Sequence, residues 1–280
     1  MRRLIINADD FGLSKSINEG ISRCVHGGML NSVSVVSGGC ASDEALLFIK
    51  QNTSLDVGVH LILTEERPLL SKDAVPSLVE RNGRFPKTWG RFILLFCIGK
   101  IKILDIELEL GAQINKILKT GIKITHLDSH CHIHVFPPIL DLVIKMAKLN
   151  NISYVRVPVE RITFKDMFSK RWLKIIILAF FSFMAKKTLS KHNIRSADFV
   201  LGVYNSGNLN LSNLYKGFRA VSVVDSGIFE LVCHPGTSKT DLDYPKWGYH
   251  WEEETRLLTS AEIKRLAADW GIVFSCREAH

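Results

Sequence analysis

The chain has 280 residues and a formal net charge of +8, with 46% hydrophobic and 23% charged residues. This length fits one large α/β-barrel domain or two ordinary domains, and this composition excludes a mainly disordered chain. The positive charge alone would allow a nucleic-acid partner. However, the basic residues are scattered, and neither an RNA-binding aromatic motif nor a zinc-finger spacing accompanies them. We therefore expect no nucleic acid among the partners.

The cysteines and the apolar segments indicate the cellular compartment of the protein. The six cysteines are widely spaced and form no CxxC pair, which is typical of reduced, mostly buried thiols in a cytoplasmic protein. The N-terminus lacks the apolar region and cleavage site of a signal peptide. The most apolar stretch, residues 175–185, is well below the roughly 20 residues that span a bilayer. The sequence thus predicts a cytoplasmic protein in which no segment crosses a membrane.

Short β-rich runs alternate with helical patterns along the whole chain. In chain order, strands are predicted at residues 4–8, 32–36, 57–61, 124–127, 154–157, 199–203, 228–233 and 272–275. Helices are predicted at residues 16–26, 41–51, 104–119, 139–149 and 260–270. This alternation indicates an α/β protein with a parallel sheet, and about eight units in about 250 residues is the size of a TIM-like (β/α) barrel. With no recognisable linker or repeat, residues 1–280 are expected to form a single domain. A doubly wound open sheet is the alternative.

Two stretches depart from the alternation. Residues 64–90 contain three prolines and are expected to form a loop over the functional site. Residues 160–193 are basic at both edges and strongly apolar in the middle, and a long insertion of this kind usually serves a function. We interpret this apolar-basic insertion as a lid or a membrane-facing element. The plainer interpretation is an amphipathic helix packed on the barrel.

Metal-binding side chains occur at the ends of several predicted strands. Asp9 and Asp10 end the first strand, His60 ends the third, His130 follows the fourth and His234 ends the seventh. Alone, an Asp-Asp pair is more often a turn or a helix cap, and a single histidine is more often packed or exposed. In a parallel barrel, however, the carboxyl ends of all strands open onto one face. The five side chains are therefore expected to meet at one mouth.

Three of these residues form a plausible metal-ligand set. Asp10, His60 and His130 would supply one carboxylate and two imidazoles, which leaves coordination positions open for water and substrate. Zn²⁺, Mn²⁺, Co²⁺ and Fe²⁺ suit such ligands, whereas Mg²⁺ prefers an all-oxygen shell. Successive strand residues point to opposite sides, so Asp9 is not expected to bind the metal with Asp10. At the end of the strand it could still approach a water at the metal.

The segment from 126 to 134 is the densest run of ionisable groups. His126, Asp128, His130, His132 and His134 occupy alternate positions, so on an extended segment they would share one face. A purely structural strand rarely collects so many such groups, and the pattern favours a functional site. Spacing does not decide which of them bind metal. His126, Asp128, His132 and His134 are interpreted as groups that support the ligands or contact substrate, Asp128 by accepting the N–H of an imidazole.

At these residues the chain resembles the YdjC-like carbohydrate deacetylase family, which includes the chitooligosaccharide deacetylases and the hopanoid-associated HpnK group. The matching segments are residues 7–13, 58–61, 125–134 and 230–236. The resemblance implies a distorted (β/α) barrel, one divalent metal ion, commonly Mg²⁺, and removal of an acetyl group from an N-acetylated sugar. By the same resemblance, Asp10, His60 and His130 match the metal ligands. Asp9 matches the general base and His234 the candidate general acid.

The resulting hypothesis is a metal-dependent hydrolase that removes acetyl from an N-acetylated sugar. A glycolipid substrate would also explain the apolar insertion, and peripheral contact with a membrane and a homodimer are left open. One alternative is a metal-dependent phosphoesterase, although such enzymes usually carry more metals and an N-terminal His-x-His motif. A second alternative is a non-catalytic, membrane-associated barrel, against which the convergence of five ionisable groups argues.

Overall fold

One parallel sheet organises the molecule. The computed structural model describes residues 1–160, 172–240 and 244–277, and within them seven strands are ordered β4-β3-β2-β1-β6-β5, with β7 also paired to β1. The strands are β1 Arg2–Phe11, β2 Ser32–Val35, β3 Asp56–Leu61, β4 His126–Ser129, β5 Phe199–Leu201, β6 Gly227–Cys233 and β7 Ile272–Phe274. All of these pairings are parallel. The predicted α/β fold with a parallel sheet is confirmed.

Helices connect the strands, as parallel pairing requires. They are α1 Lys15–His26, α2 Ser42–Gln51, α3 Trp89–Cys97, α4 Ile103–Leu118, α5 Pro137–Leu149, α6 Trp172–Lys191, α7 Leu211–Ser222, α8 Trp251–Thr259 and α9 Ala261–Asp269. Short 3₁₀ segments occur at Pro76–Leu78 and His130–Val135. Among the described residues, the helices are all too short or too polar to traverse a bilayer.

β1 is the central strand of the sheet. Its residues from 4 to 11 are all buried, as is typical of a parallel strand that is covered on both faces, although Asn7, Asp9 and Asp10 are polar. β6 pairs along most of its length. On the other side, β7 pairs with its first residues and β2 with its last. Segments from both ends of the chain thus meet at β1, and its carboxyl end carries Asp9 and Asp10.

The strand predicted at residues 154–157 does not form. Instead, this segment makes isolated bridges from Leu127 to Val155 and from Tyr154 to Arg195. Pro158 follows directly and lacks the N–H that a longer ladder would need, and the side chain of Arg156 is wholly buried among carboxylates. The eight-stranded closed barrel therefore stays a prediction, since the β-pairing of the described residues between β4 and β5 is limited to isolated bridges.

Residues 126–134 are not one extended segment. β4 ends at Ser129, and the following 3₁₀ segment contains Cys131 and His132 with φ of 53° and 55°. These left-handed residues turn the chain, so the alternating side chains do not share one face. Within residues 64–90 the chain forms the short 3₁₀ segment and then begins α3. Within residues 160–193, α6 covers residues 172–191, and residues 161–171 lie outside the described residues.

Candidate active site

A cavity of about 360 Å³ lies at the carboxyl ends of the strands. Asp9 from β1, His60 from β3, His130 after β4 and His234 after β6 all line it. Asp10 lies directly beneath, 1% exposed. The structure therefore brings together the five side chains that the sequence placed at one mouth.

Asp10, His60 and His130 offer ligand atoms that lie within 4.8 Å of one another. Asp10 Oδ1 is 3.4 Å from His60 Nε2 and 3.5 Å from His130 Nδ1. Both carboxylate oxygens of Asp10 are buried without a hydrogen-bond partner, an arrangement that is costly for a polar group unless a ligand satisfies it. One carboxylate and two imidazoles in this arrangement fit a divalent cation.

Two adjacent carboxylates reach the site because β1 is irregular at its end. Asp10 has a φ of 65°, and the pairing with β2 shifts register between Ala8 and Phe11. The alternation of a regular strand would send Asp9 and Asp10 to opposite faces, as the sequence predicted. Instead, each carboxylate belongs to a cluster that includes His60. Among the described residues the two aspartates belong to different clusters, so the expectation that Asp9 does not share a metal ion with Asp10 stays a prediction.

The proton of His60 is placed by Asp128. His60 Nδ1 is 2.9 Å from Asp128 Oδ1, and because a carboxylate accepts, Nδ1–H is the donor. That leaves the lone pair of Nε2 facing Asp10, the tautomer that a metal ligand needs. Asp128 Oδ2 in turn accepts from the hydroxyl of Ser34 at 2.6 Å and from Arg156 at 2.8 Å. Asp128 thus orients the His60 imidazole.

Arg156 holds Asp9. Its two terminal nitrogens donate to the two Asp9 oxygens at 2.7 and 2.8 Å, and its Nε donates to Glu230 at 2.7 Å. Burial raises the pKa of Asp9, but the charge of Arg156 outweighs it and holds that pKa below the usual range. Asp9 is therefore ionised at neutral pH. Sequence reasoning missed Arg156, although a charged residue flanked by valines in an apolar run was a usable signal.

His234 is positioned through its backbone. Its N–H donates to Glu254 Oε2 at 2.6 Å, while the imidazole packs against Tyr249 with ring centroids 5.0 Å apart. The ring Nδ1 is buried and has no hydrogen-bond partner among the described residues. The imidazole is therefore available to a molecule bound in the cavity.

Comparison with known proteins identifies the family of this chain. A sequence model of the YdjC-like protein family matches residues 3–269. The chain belongs to the YdjC-like family. It is 39% identical to a carbohydrate deacetylase of Brevibacillus brevis over 95% of both chains, and 32% identical to one of Clostridium beijerinckii over 93% of both. A crystal structure from Enterococcus faecalis V583, described as a candidate cellobiose-phosphate cleavage protein, superposes with a TM-score of 0.79 at 25% identity, covering 98% of this chain and 97% of that one.

Of the remaining predicted groups in this YdjC-like chain, His132 lines the cavity, while His126 and His134 do not. His126 is buried beneath it, with Nε2 3.1 Å from Ser34 Oγ. The ring fills the space where a Cβ of Gly58 would lie, only 2.2 Å from Nε2. His134 bonds Ser129 and a backbone carbonyl. These two histidines support the strands rather than face a ligand.

Two further residues of the cavity wall escaped the sequence analysis. Trp247 stacks on His130 with ring centroids 4.9 Å apart, and its Nε1 donates to Glu65 Oε2 at 3.0 Å. Trp247 thereby fixes one candidate ligand and one carboxylate at once. The signal was present as four aromatic residues between positions 244 and 251, but nothing in their spacing indicates which ring faces the site.

Part of the cavity wall is apolar. Side chains from α3, from the segment before α5, and from α6 line it, namely Trp89, Ile93, Phe136, Leu178 and Phe181. The rings of Phe136 and Phe181 meet edge to face at 5.8 Å. A single cavity thus joins a polar, metal-ligand end to an apolar arm.

Proposed function

We propose that this chain is a metal-dependent carbohydrate deacetylase, which hydrolyses the acetamide of an N-acetylated sugar. The observation that carries the proposal is the pairing of an unsatisfied Asp10 carboxylate, facing His60 and His130, with an ionised Asp9 held by Arg156 in the same cavity. The full-length relatives named carbohydrate deacetylase support it.

Asp10, His60 and His130 would hold one divalent ion. Such an ion lowers the pKa of water and polarises a carbonyl oxygen. Two nitrogen ligands favour Zn²⁺, Mn²⁺, Co²⁺ or Fe²⁺, whereas the family resemblance implies Mg²⁺. Elemental analysis of the purified protein would identify the metal.

In this proposal Asp9 and His234 divide the proton transfers. Asp9 accepts the proton of the attacking water, since Arg156 keeps its carboxylate ionised. An amine is a poor leaving group, so the nitrogen must gain a proton as the carbon–nitrogen bond breaks. The His234 imidazole lies in the same cavity with an unpartnered nitrogen and donates that proton. The products are acetate and the free amino sugar.

We further propose that the apolar arm receives a lipid group on the sugar, so that the substrate is a glycolipid. Apolar side chains continue from the arm onto the outer surfaces of α3 and α6, where Leu94 is 59% and Phe180 is 59% exposed. Lys174 lines the cavity beside them. An exposed apolar patch with basic residues suits peripheral contact with an anionic membrane surface.

We also infer that residues 1–280 form one domain in the cytoplasm. The family match from 3 to 269 and the pairing of β7 with β1 support a single unit. All six cysteines are free, as expected in a reducing compartment. Association into a homodimer stays a prediction, which sedimentation equilibrium would test.

The test is release of acetate from a panel of N-acetylated sugars and glycolipids. We expect activity that a chelator removes and a divalent metal restores. Asp9→Asn should keep the bound metal and lose on the order of 10²–10⁴-fold in kcat, because it removes a general base. Asp141→Asn, on the exposed face of α5, is the control. Full activity in Asp9→Asn, or release of phosphate rather than acetate from phosphorylated sugars, would contradict the proposal.

A further inference from the structure

A second cluster of metal-binding side chains lies on the wall of the same cavity. The ligand atoms of Glu65, His130 and Cys131 lie within 4.8 Å of one another, and all three residues line the cavity. Cys131 is exposed and Glu65 half-buried. The proposed deacetylation uses neither the thiol nor this carboxylate.

The backbone has an unusual conformation at Glu65 and at Cys131, the two cluster members that do not belong to the Asp10–His60–His130 set. Glu65 has a φ of 68° and Cys131 a φ of 53°, a left-handed conformation that is unfavourable for a non-glycine residue. At Cys131 this conformation lets two residues that are adjacent in sequence, His130 and Cys131, both face the cavity. Non-glycine residues held in such conformations concentrate at functional sites.

Trp247 preorganises two members of the cluster. Its indole N–H bonds the Glu65 carboxylate at 3.0 Å, and its ring stacks on the His130 imidazole. Ligands that their neighbours already hold in place lose less conformational entropy when an ion binds. The cluster is therefore a built site rather than a chance approach of exposed side chains.

We propose that Glu65, His130 and Cys131 form a second cation site, selective for a thiophilic transition metal such as Zn²⁺. A thiolate, an imidazole and a carboxylate are the three donor types that zinc accepts, and three protein ligands leave its fourth position open. The sulfur ligand disfavours Mg²⁺, which takes oxygen donors.

His130 belongs to both clusters. Its Nδ1 lies 3.5 Å from Asp10 Oδ1. A neutral imidazole has one nitrogen lone pair, so His130 would serve an ion on each side as a bridging imidazolate, with its remaining N–H proton released to solvent. A zinc ion at Cys131 would therefore adjoin the Asp10–His60–His130 site.

Cobalt provides the test, because a thiolate bound to Co²⁺ gives a near-ultraviolet charge-transfer band that oxygen and nitrogen ligands do not. We expect metal-free protein titrated with Co²⁺ to show this band. Cys131→Ser should abolish it. Cys97→Ser, which removes another exposed thiol that does not line the cavity, should retain it. Equilibrium dialysis against Zn²⁺ should show a second equivalent bound by the wild type and lost in Cys131→Ser.

Absence of the band in the wild type, its survival in Cys131→Ser, or binding of a single zinc equivalent would each overturn the second site. These readouts are independent of acetate release. An enzyme that deacetylates but lacks the cobalt band would thus refute the second site while leaving the proposed function intact.

Discussion

At the scale of single residues, neighbouring groups decide where each buried histidine carries its proton. In His134, Nε2 lies 2.7 Å from the carbonyl of Arg156, which can only accept, so Nε2 carries the hydrogen. Nδ1, 2.6 Å from Ser129 Oγ, then accepts from that hydroxyl. The ring is therefore held neutral. Burial favours the same state and lowers the pKa of His134 to about 4.

This lowered pKa predicts a loss of stability in acid. The unfolded chain protonates His134 near pH 6.5, but the folded chain does so only near pH 4. Between these values the unfolded state binds more protons, so a fall in pH across this range destabilises the fold by about 3 kcal/mol through this residue. His134→Asn should show a shallower pH dependence of the free energy of unfolding in urea. His26→Asn, at an exposed histidine, should follow the wild type. Parallel curves for His134→Asn and the wild type would contradict the assignment.

The sequence located the site residues because strand ends can be read from local pattern. Asp9, Asp10, His60 and His234 each close a run of apolar residues, and parallel pairing then brings them together. The irregular end of β1, which brings both aspartates near His60, could not be predicted from local sequence pattern. It depends on how β1 pairs with β2, whose residues lie more than 20 positions away along the chain.

At the scale of elements, the predictions succeeded where the apolar pattern of a segment fitted only a strand or only a helix. The strand predicted at 228–233 is Gly227–Cys233, and the helix predicted at 139–149 is Pro137–Leu149, whose start carries the prolines that suit a first turn. They failed at 154–157. There the apolar pattern was right about burial, but the buried Arg156 and the following Pro158 limit the segment to bridges.

Two of the three phenylalanines of helix α6 lie in different surroundings. Phe181 lines the apolar arm of the cavity, whereas Phe183 is 72% exposed. If the arm binds a lipid group, Phe181→Asn should raise KM roughly tenfold for an N-acetylated alkyl glycoside relative to the unsubstituted sugar, since it removes a buried apolar contact. Phe183→Asn should leave that ratio of KM values unchanged. Steady-state kinetics on the two substrates measures both.

A similar change in the two variants would mean that the effect arises from the outer surface. An unchanged ratio of KM values in Phe181→Asn would contradict binding of a lipid group in the apolar arm.

At the scale of the whole molecule, the last described residue is tied to the proposed general base. Arg277 donates to Glu230 Oε1 at 2.7 Å, and the same oxygen accepts from Arg156 at 2.7 Å. Arg156 then bonds both oxygens of Asp9. Arg277 itself is 3% exposed, and its backbone N–H is bonded to Asp56. The two ends of the chain therefore meet in one buried ionic network beneath the cavity.

This network makes Arg277 a positioning residue. Arg277→Gln leaves Glu230 with Arg156 as its remaining guanidinium, which weakens the hold of Arg156 on Asp9. We expect kcat to fall on the order of tenfold or more, because small displacements of reacting groups are costly. KM should change little, since Arg277 does not line the cavity. The acid limb of the kcat profile should move to higher pH, because a weaker contact with Arg156 lets the pKa of Asp9 rise. Arg277→Lys keeps a cation but not the fork of donors and should recover part of kcat, while Arg265→Gln, exposed on α9, should match the wild type. Rates would be normalised to the folded fraction from urea unfolding, since removing one of the two guanidinium partners of the buried Glu230 costs stability. A wild-type kcat and pH profile in folded Arg277→Gln would show that Asp9 is placed without help from the end of the chain.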